Sequence, residues 1–360
     1  MNTIITRGIP RNTNWTSNPF AHSATGQGPK GAENCAKIAG VTVDTRRAVK
    51  MAEETKISWT ATDGKPGATF NPWMGCERIS EGCKHCYAET FVSGRMGLPL
   101  WGPVRSTERQ RTSLANWKKP LAWDRTAQRE GRRIKVFCAS LADVFEDNPQ
   151  VASWRADLFR LIERTTHLDW LLLTKRADRM AALAREAGWR DSWPDNVWAG
   201  TTVESQDMAH KRIPHLLGVP ARVRFLSCEP LLEAVDLTAI PRTQAEGFMR
   251  PLDGRFNTVS WVICGGESGF KARSFDLAWA RSLRDQCKEA EVPFFMKQIG
   301  RKPRTRLDDN ESWPGHNAGQ GTVQFVGDGF GNYDVTGLKD KAGADPSEWP
   351  EDLRVQEFPR

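Results

Sequence analysis

The 360-residue chain has no uninterrupted apolar run of about eighteen residues, which excludes a membrane-spanning helix read from hydropathy. Its amino terminus, MNTIITRGIPRNTNW, lacks both the charged start with an apolar run and the cleavage pattern of a secretory signal. The cytoplasm is therefore the expected compartment. No G-x-G-x-x-G opens a first βα unit; GGESG comes late, at residues 265–269, so a dinucleotide fingerprint is not read there. Residues 12–31, NTNWTSNPFAHSATGQGPKG, lack any apolar periodicity and predict loop or disorder within an extension covering residues 1–54, where only Asp44–Glu54 suggests a short helix. The eight cysteines do not read as a disulfide framework. Cys138, Cys228 and Cys264 sit in the apolar runs VFCAS, FLSCEP and VICGG, and Cys35 and Cys287 stand alone, so buried free thiols explain them most simply.

The remaining three, Cys76, Cys83 and Cys86, are crowded into FNPWMGCERISEGCKHCYAE and lack a fourth thiolate beside them. Structural zinc closes its coordination with four ligands, whereas an iron–sulfur cube held by three thiolates leaves one iron open to a small molecule. His85 is adjacent to Cys86 and awkwardly placed for joint chelation, and His167, His210 or His215 would have to fold back to complete a zinc site. The spacing leaves a cluster, a zinc site and unligated thiols open.

From Thr55 to Gly300 short apolar stretches alternate with amphipathic ones. Strands are expected at Lys135–Ala139, Trp170–Thr174, Val197–Thr201, Val223–Ser227, Trp261–Gly265 and Pro293–Lys297, with a further short strand leading into Gly75–Cys76. Helices are expected at Val151–Arg164, Arg176–Ala187, Ser205–Leu217 and Asp276–Ala290. About seven βα units predict an α/β fold with a parallel sheet, and a β/α barrel would gather the polar strand ends on one rim. A doubly wound sheet is the alternative. Those ends carry Ser140, Asp143, Lys175, Arg176, Thr202, Glu204, Glu229, Gly266, Glu267, Ser268, Lys297 and Gln298. Six of them have a plain structural reading: Ser140 as a helix N-cap, Asp143 as a first-turn acid, Gly266 as a tight turn, and Lys175, Arg176 and Lys297 at a solvated helix start or in ion pairs with Glu204 or Glu229. A functional reading is open as well, since Thr202, Glu204, Glu229, Glu267 and Ser268 can hydrogen-bond a ligand and the three cations can hold an anion. Ten Lys or Arg against three acids between Arg105 and Lys135, with RKPRTR at 301–306 and Trp117 and Trp123 interspersed, suggest a nucleic-acid partner.

The stretches ISWTATDGKPGATFNPWMGCERISEGCKHCYAE, DWLLLTKR, VWAGTTVE, RFLSCEPLL, WVICGGESG and VPFFMKQIG together resemble the radical-SAM-like proteins of phages and mobile elements, a family of previously unknown function. The resemblance covers roughly Ile57–Gly300 and extends weakly to WPEDLRVQEFP. It implies a partial (β/α) barrel of the radical-SAM type at residues 55–300, between N- and C-terminal extensions at 1–54 and 301–360. A [4Fe–4S] cluster on Cys76, Cys83 and Cys86, S-adenosyl-L-methionine and an external electron donor are implied with it. The usual radical-SAM spacing is C-x3-C-x2-C, and the first interval here is longer. Tyr87 matches the aromatic residue after the last ligand, and ASLAD resembles a serine-and-aspartate form seen in photoproduct lyases. Cofactor contacts are expected from Tyr87, Ser140, Asp143, Lys175, Thr202, Glu204, Gly266, Glu267 and Ser268, with Lys175, Glu229 and Lys297 the candidate catalytic groups. The implied activity is 5′-deoxyadenosyl radical chemistry on a nucleic-acid base or its hypermodified side group, with thymidine-derived groups of phage DNA first, in the bacterial host cytoplasm. A small-metabolite substrate, lesion reversal and a zinc-containing non-enzymatic nucleic-acid binder are the alternatives.

Overall fold

The computed structural model describes residues 55, 57–242, 247–254, 258–306, 323–329 and 331–359, all within the unit Met51–Arg360. The expected helix Asp44–Glu54 and the extension around it lie outside the described residues.

Seven strands form one parallel sheet whose spatial order follows the chain: β1 (Ala68–Thr69), β2 (Ile134–Cys138), β3 (Leu168–Thr174), β4 (Val197–Thr202), β5 (Val223–Cys228), β6 (Trp261–Gly265) and β7 (Phe294–Gln298). Register runs without interruption from Ala68↔Val136 to Ile263↔Phe295, and the ladder shifts once, between Cys264 and Gly265. Helices α1 (Leu114–Glu130), α2 (Ala152–Glu163), α3 (Ala177–Glu186), α4 (Gln206–Leu217) and α5 (Leu277–Glu289) fall between strands, giving a partial (β/α) barrel. Among the described residues no helix is long and apolar enough to cross a membrane.

Both faces of the sheet are buried, and the period-2 alternation of side chains sorts them into two cores. Ile134, Val136 and Cys138, Leu168, Trp170 and Leu172, Val262 and Cys264, and Phe294 and Met296 join the helix-facing cluster. The intervening residues Phe137, Leu171, Trp198, Phe225, Trp261, Ile263 and Phe295 form a second, aromatic-rich cluster inside the curl, joined by Trp59. Trp59 meets Phe137 edge-on at 4.8 Å between ring centroids, a favourable quadrupolar arrangement. Gly200 lies on this inner face because the Phe225 ring occupies the space a side chain would need: a Cβ there would sit 2.2 Å from it.

The expected strand leading into Gly75–Cys76 forms, but outside the barrel. Trp73–Met74 pairs antiparallel with Gln110–Arg111, and Ala68–Thr69 takes the barrel position. Helix α1, unforeseen, starts at Ser113, whose hydroxyl accepts from Asn116 N at 3.3 Å, and stops at Gly131 in the left-handed conformation. Near the carboxyl end, Pro303–Arg306, Asn332–Thr336 and Gln324–Gly327 make a small sheet with Phe275–Asp276. The final segment returns to the barrel. Met296 N donates to Val355 O at 2.8 Å and Glu357 N to Phe294 O at 2.9 Å, so residues 355–357 run antiparallel along β7. Phe358 then packs on Trp261 and Phe295 in the inner core.

Candidate active site

The C-terminal ends of the strands meet the cysteine-bearing loop, residues 76–86, and hold it at three points. The first is built from β2 and β3. Arg176, following β3, donates to Asp143 Oδ2 at 2.9 Å and to the carbonyl of Glu77 at 2.9 Å, and its guanidinium lies 3.6 Å from the Cys76 sulfur. Glu146 accepts from Glu77 N at 3.1 Å, and both of its carboxylate oxygens accept from the buried Arg109, through Nε and Nη2. Burial pushes the Cys76 thiol up to about 12, with the Arg176 guanidinium pulling the other way and the Asp143 and Glu146 carboxylates reinforcing the rise.

The second point is Glu204, after β4. Its carboxylate accepts from Arg212 at 2.6 Å and from the hydroxyl of Ser80 in the loop. A Cβ on Gly82 would come within 2.9 Å of the same carboxylate, so glycine is what lets the loop approach. Burial raises the Glu204 carboxyl, and Arg212, Lys175 and Ser80 more than reverse that, holding it below the usual range. The third point is Glu267, after β6. Arg273 donates to it at 2.6 Å and also to the carbonyl of Glu81 at 3.0 Å, while His85 Nδ1 lies 3.2 Å from the other carboxylate oxygen. Burial again works upward on Glu267, and the Arg273 hydrogen bonds bring it below its ordinary value.

Glu204 and Glu267, expected to contact a cofactor, also hold the loop through Ser80 and His85, and Asp143 does so at one remove, through Arg176. Ser140 does not cap a helix, since the next α-helix begins at Ala152; its hydroxyl pairs with Asn71, and its carbonyl accepts from Tyr87 OH at 3.0 Å. Gly266 is a packing requirement, because a Cβ there would stand 2.9 Å from the Phe275 side chain. Ser268 lies half-buried on the same loop. Lys175, Thr202, Glu229 and Lys297 form a less committed set: Lys175 Nζ donates to Thr202 Oγ1 at 3.3 Å, and Lys297 pairs with Glu229 at 2.5 Å, steadied by Gln298. Ion pairing of Arg176 with Glu204 or Glu229 is corrected to Asp143 and Glu146. Arg212, Arg273, Ser80 and Asn71 went unread in the sequence; a cation behind each strand-end acid is the signal that would have found the two arginines.

Cys76, Cys83 and Cys86 are free and half-buried. Burial also raises the Cys86 thiol. Among the described residues no three His, Cys, Asp or Glu side chains stand together as a metal-holding group. In donor chemistry the loop fits a thiophilic group: three unpaired thiols on one short segment, at the end of a barrel where polar groups converge. Of the imidazoles considered for a fourth zinc ligand, His85 lies on Glu267, His210 on Gln206 and His167 beside Asp124, while His215 is exposed on α4.

At least half of the ten cations in the basic run from Arg105 to Lys135 are engaged internally. Arg109 pairs with Glu146, Arg111 with Asp157, Arg132 with Glu130 and Arg133 with Asp169, and Lys135 points into the barrel to the carbonyl of Ala61 at 2.9 Å. These five cations therefore already have partners within the chain.

The search of curated proteins finds no match. Among solved structures the chain is similar to a spore photoproduct lyase double mutant with bound AdoMet and dinucleoside spore photoproduct, at 11% identity and a TM-score of 0.37, over 82% of this chain and 73% of that one. A second mutant of the same lyase matches at 11% identity and a TM-score of 0.37, over 85% of this chain and 81% of its own. The model of one protein family matches residues 54–327, well over half of the chain. The chain belongs to that family, described as protein of unknown function, DUF5131.

Proposed function

We propose that this protein is a radical S-adenosylmethionine enzyme that acts on a base, or a base side group, in DNA. The observation that carries the reading is the position of the three-thiol loop: clamped over the C-terminal ends of the barrel strands, where β/α barrels do their chemistry. Cys76, Cys83 and Cys86 would hold a [4Fe–4S] cluster, and the family resemblance carries that assignment beyond what donor chemistry alone supports. With S-adenosylmethionine, such a cluster supplies the 5′-deoxyadenosyl radical when an external donor provides an electron.

The chain's own residues then have separable tasks. Asp143 with Arg176, Glu204 with Arg212, and Glu267 with Arg273 keep the loop in place and its thiols on the barrel side. Lys175, within reach of Thr202, offers a cation for the methionyl carboxylate, and Ser140 and Tyr87 line the approach to the third cysteine. The Glu229–Lys297 pair can hold or move a proton at the substrate, the carboxylate as acceptor and the ammonium as donor to an incoming polar group. Lesion reversal and rearrangement of a hypermodified thymidine both begin with hydrogen abstraction, and both belong to this reading. The setting would be the cytoplasm of a phage-infected bacterium.

Anaerobic reconstitution followed by incubation with reductant and S-adenosylmethionine tests the proposal. The wild type is expected to form 5′-deoxyadenosine and, on modified or ultraviolet-damaged phage DNA, to alter a nucleoside detectable by mass spectrometry. A stable zinc protein with no reducible cluster would sink it.

A further inference from the structure

We propose that the turn Gly269–Ala272, tipped by Phe270, is a stacking platform for an unpaired nucleic-acid base beside the cysteine loop. The inference rests on the nucleic-acid reading above and gives it a contact that differs from the basic run of residues 105–135.

Phe270 is 84% exposed, the most exposed of the large apolar side chains among the described residues. A lone exposed apolar residue needs no explanation in itself. Its setting does. The turn beneath it is closed by Ala272 N donating to Gly269 O at 3.0 Å. It is pinned at its base by Arg273 N on Glu267 Oε2 at 2.7 Å, and by Arg301 N on the Glu267 carbonyl at 2.8 Å. The backbone is therefore fixed while the ring stands in solvent. Such an arrangement lowers the ordering cost of any ligand that lands on the ring.

The ring also carries a cation. The Arg301 guanidinium lies over it, 5.6 Å from the centroid, and Lys271 and Lys302 are exposed on the two adjoining segments. A flat apolar face ringed by positive charge suits a base with its phosphates: the base stacks, and the cations neutralise the backbone. A protein partner would call for a broader apolar patch, and the neighbours of Phe270 in the turn are the exposed Gly269 and Lys271. The same Glu267 and Arg273 that pin the turn also bind His85 and the Glu81 carbonyl of the cysteine loop. A base stacked on Phe270 would accordingly be delivered next to the site, as required of an enzyme that works on an extruded or single-stranded base.

The test uses the full chain and a single-stranded DNA oligonucleotide carrying 2-aminopurine, read by fluorescence anisotropy and by quenching of the base. Phe270→Ala is expected to weaken binding by about tenfold and abolish the quenching, with Phe270→Trp restoring both. Replacing Lys271 and Lys302 with Gln should reduce the salt dependence of binding, by about 0.7 in the log–log slope for each phosphate no longer neutralised. Thermal denaturation of each variant, expected to match the wild type at so exposed a position, distinguishes a missing stacking surface from a damaged fold. Unchanged affinity and quenching in Phe270→Ala would overturn the platform and leave the nucleic-acid reading standing. Failure of the wild type to bind any oligonucleotide at low salt would overturn both.

Discussion

Glu204 shows how far a single carboxylate can serve as architecture. It is buried, it faces Arg212, and it takes the Ser80 hydroxyl of the cysteine loop. Replacing it with Gln leaves the Arg212 charge buried without its partner, which should cost about 3–5 kcal/mol, measured by thermal or denaturant unfolding. The pH dependence has a definite sign. A carboxyl held below its ordinary value stabilises the fold fully above its unfolded pKa of about 4.3, and that stabilisation is lost as pH falls through the lower folded value. Wild-type stability is thus expected to drop as pH falls below about 4, with a flatter acid limb in Glu204→Gln. The cysteines supply a second prediction at this scale: reconstituted wild type should carry about four irons per chain. Alanine at Cys76, Cys83 or Cys86 should reduce iron content sharply and abolish 5′-deoxyadenosine formation, as read by metal analysis and chromatography.

Among the elements, the strands and helices were the most legible part of the molecule. Continuous apolar runs such as WLLLT and WVICG mark buried parallel strands, and α2 to α5 match their expected spans to within a residue or two because their apolar spacing is helical. Helix α1 was less legible: Pro120 and four cations break up its apolar stripe, and its ends are set by Ser113 and Gly131. Which strand face looks inward could not be read either, since both are apolar; only the packing divides Phe137 and Trp198 from Val136 and Val197. The acids at the strand ends were visible, but their partners were not, because Ser80–Glu204 and Glu81–Arg273 join residues far apart in the chain. Close packing at the glycines gives a further expectation. Gly266→Ala should destabilise by about 1–3 kcal/mol through overpacking against Phe275, while Gly82→Ala should displace the cysteine loop and lower cluster retention more than it lowers the melting temperature.

For the molecule as a whole, the formal charge of +7 is a poor guide to where a polyanion would bind. Arg133 is tied to the largely buried Asp169, so Arg133→Ala should lower stability, whereas Arg125→Gln with Arg129→Gln should leave stability within about 0.5 kcal/mol. Unfolding curves and salt-dependent DNA binding on both variants separate the two roles. The inner core has a consequence of another kind. Trp59, near the start of the described chain, and Phe358, near its end, converge on the same aromatic cluster, and residues 355–357 cover the edge of β7. During synthesis the residues that finish this core emerge after every strand they touch, so the nascent barrel must wait with an uncovered edge and an unfilled interior. Its closing contacts are among the most distant in the sequence, a topology that folds slowly. A chain stopped at Pro350 would retain every strand of the barrel yet remain in that waiting state, and should sediment with aggregates while the full chain stays dispersed.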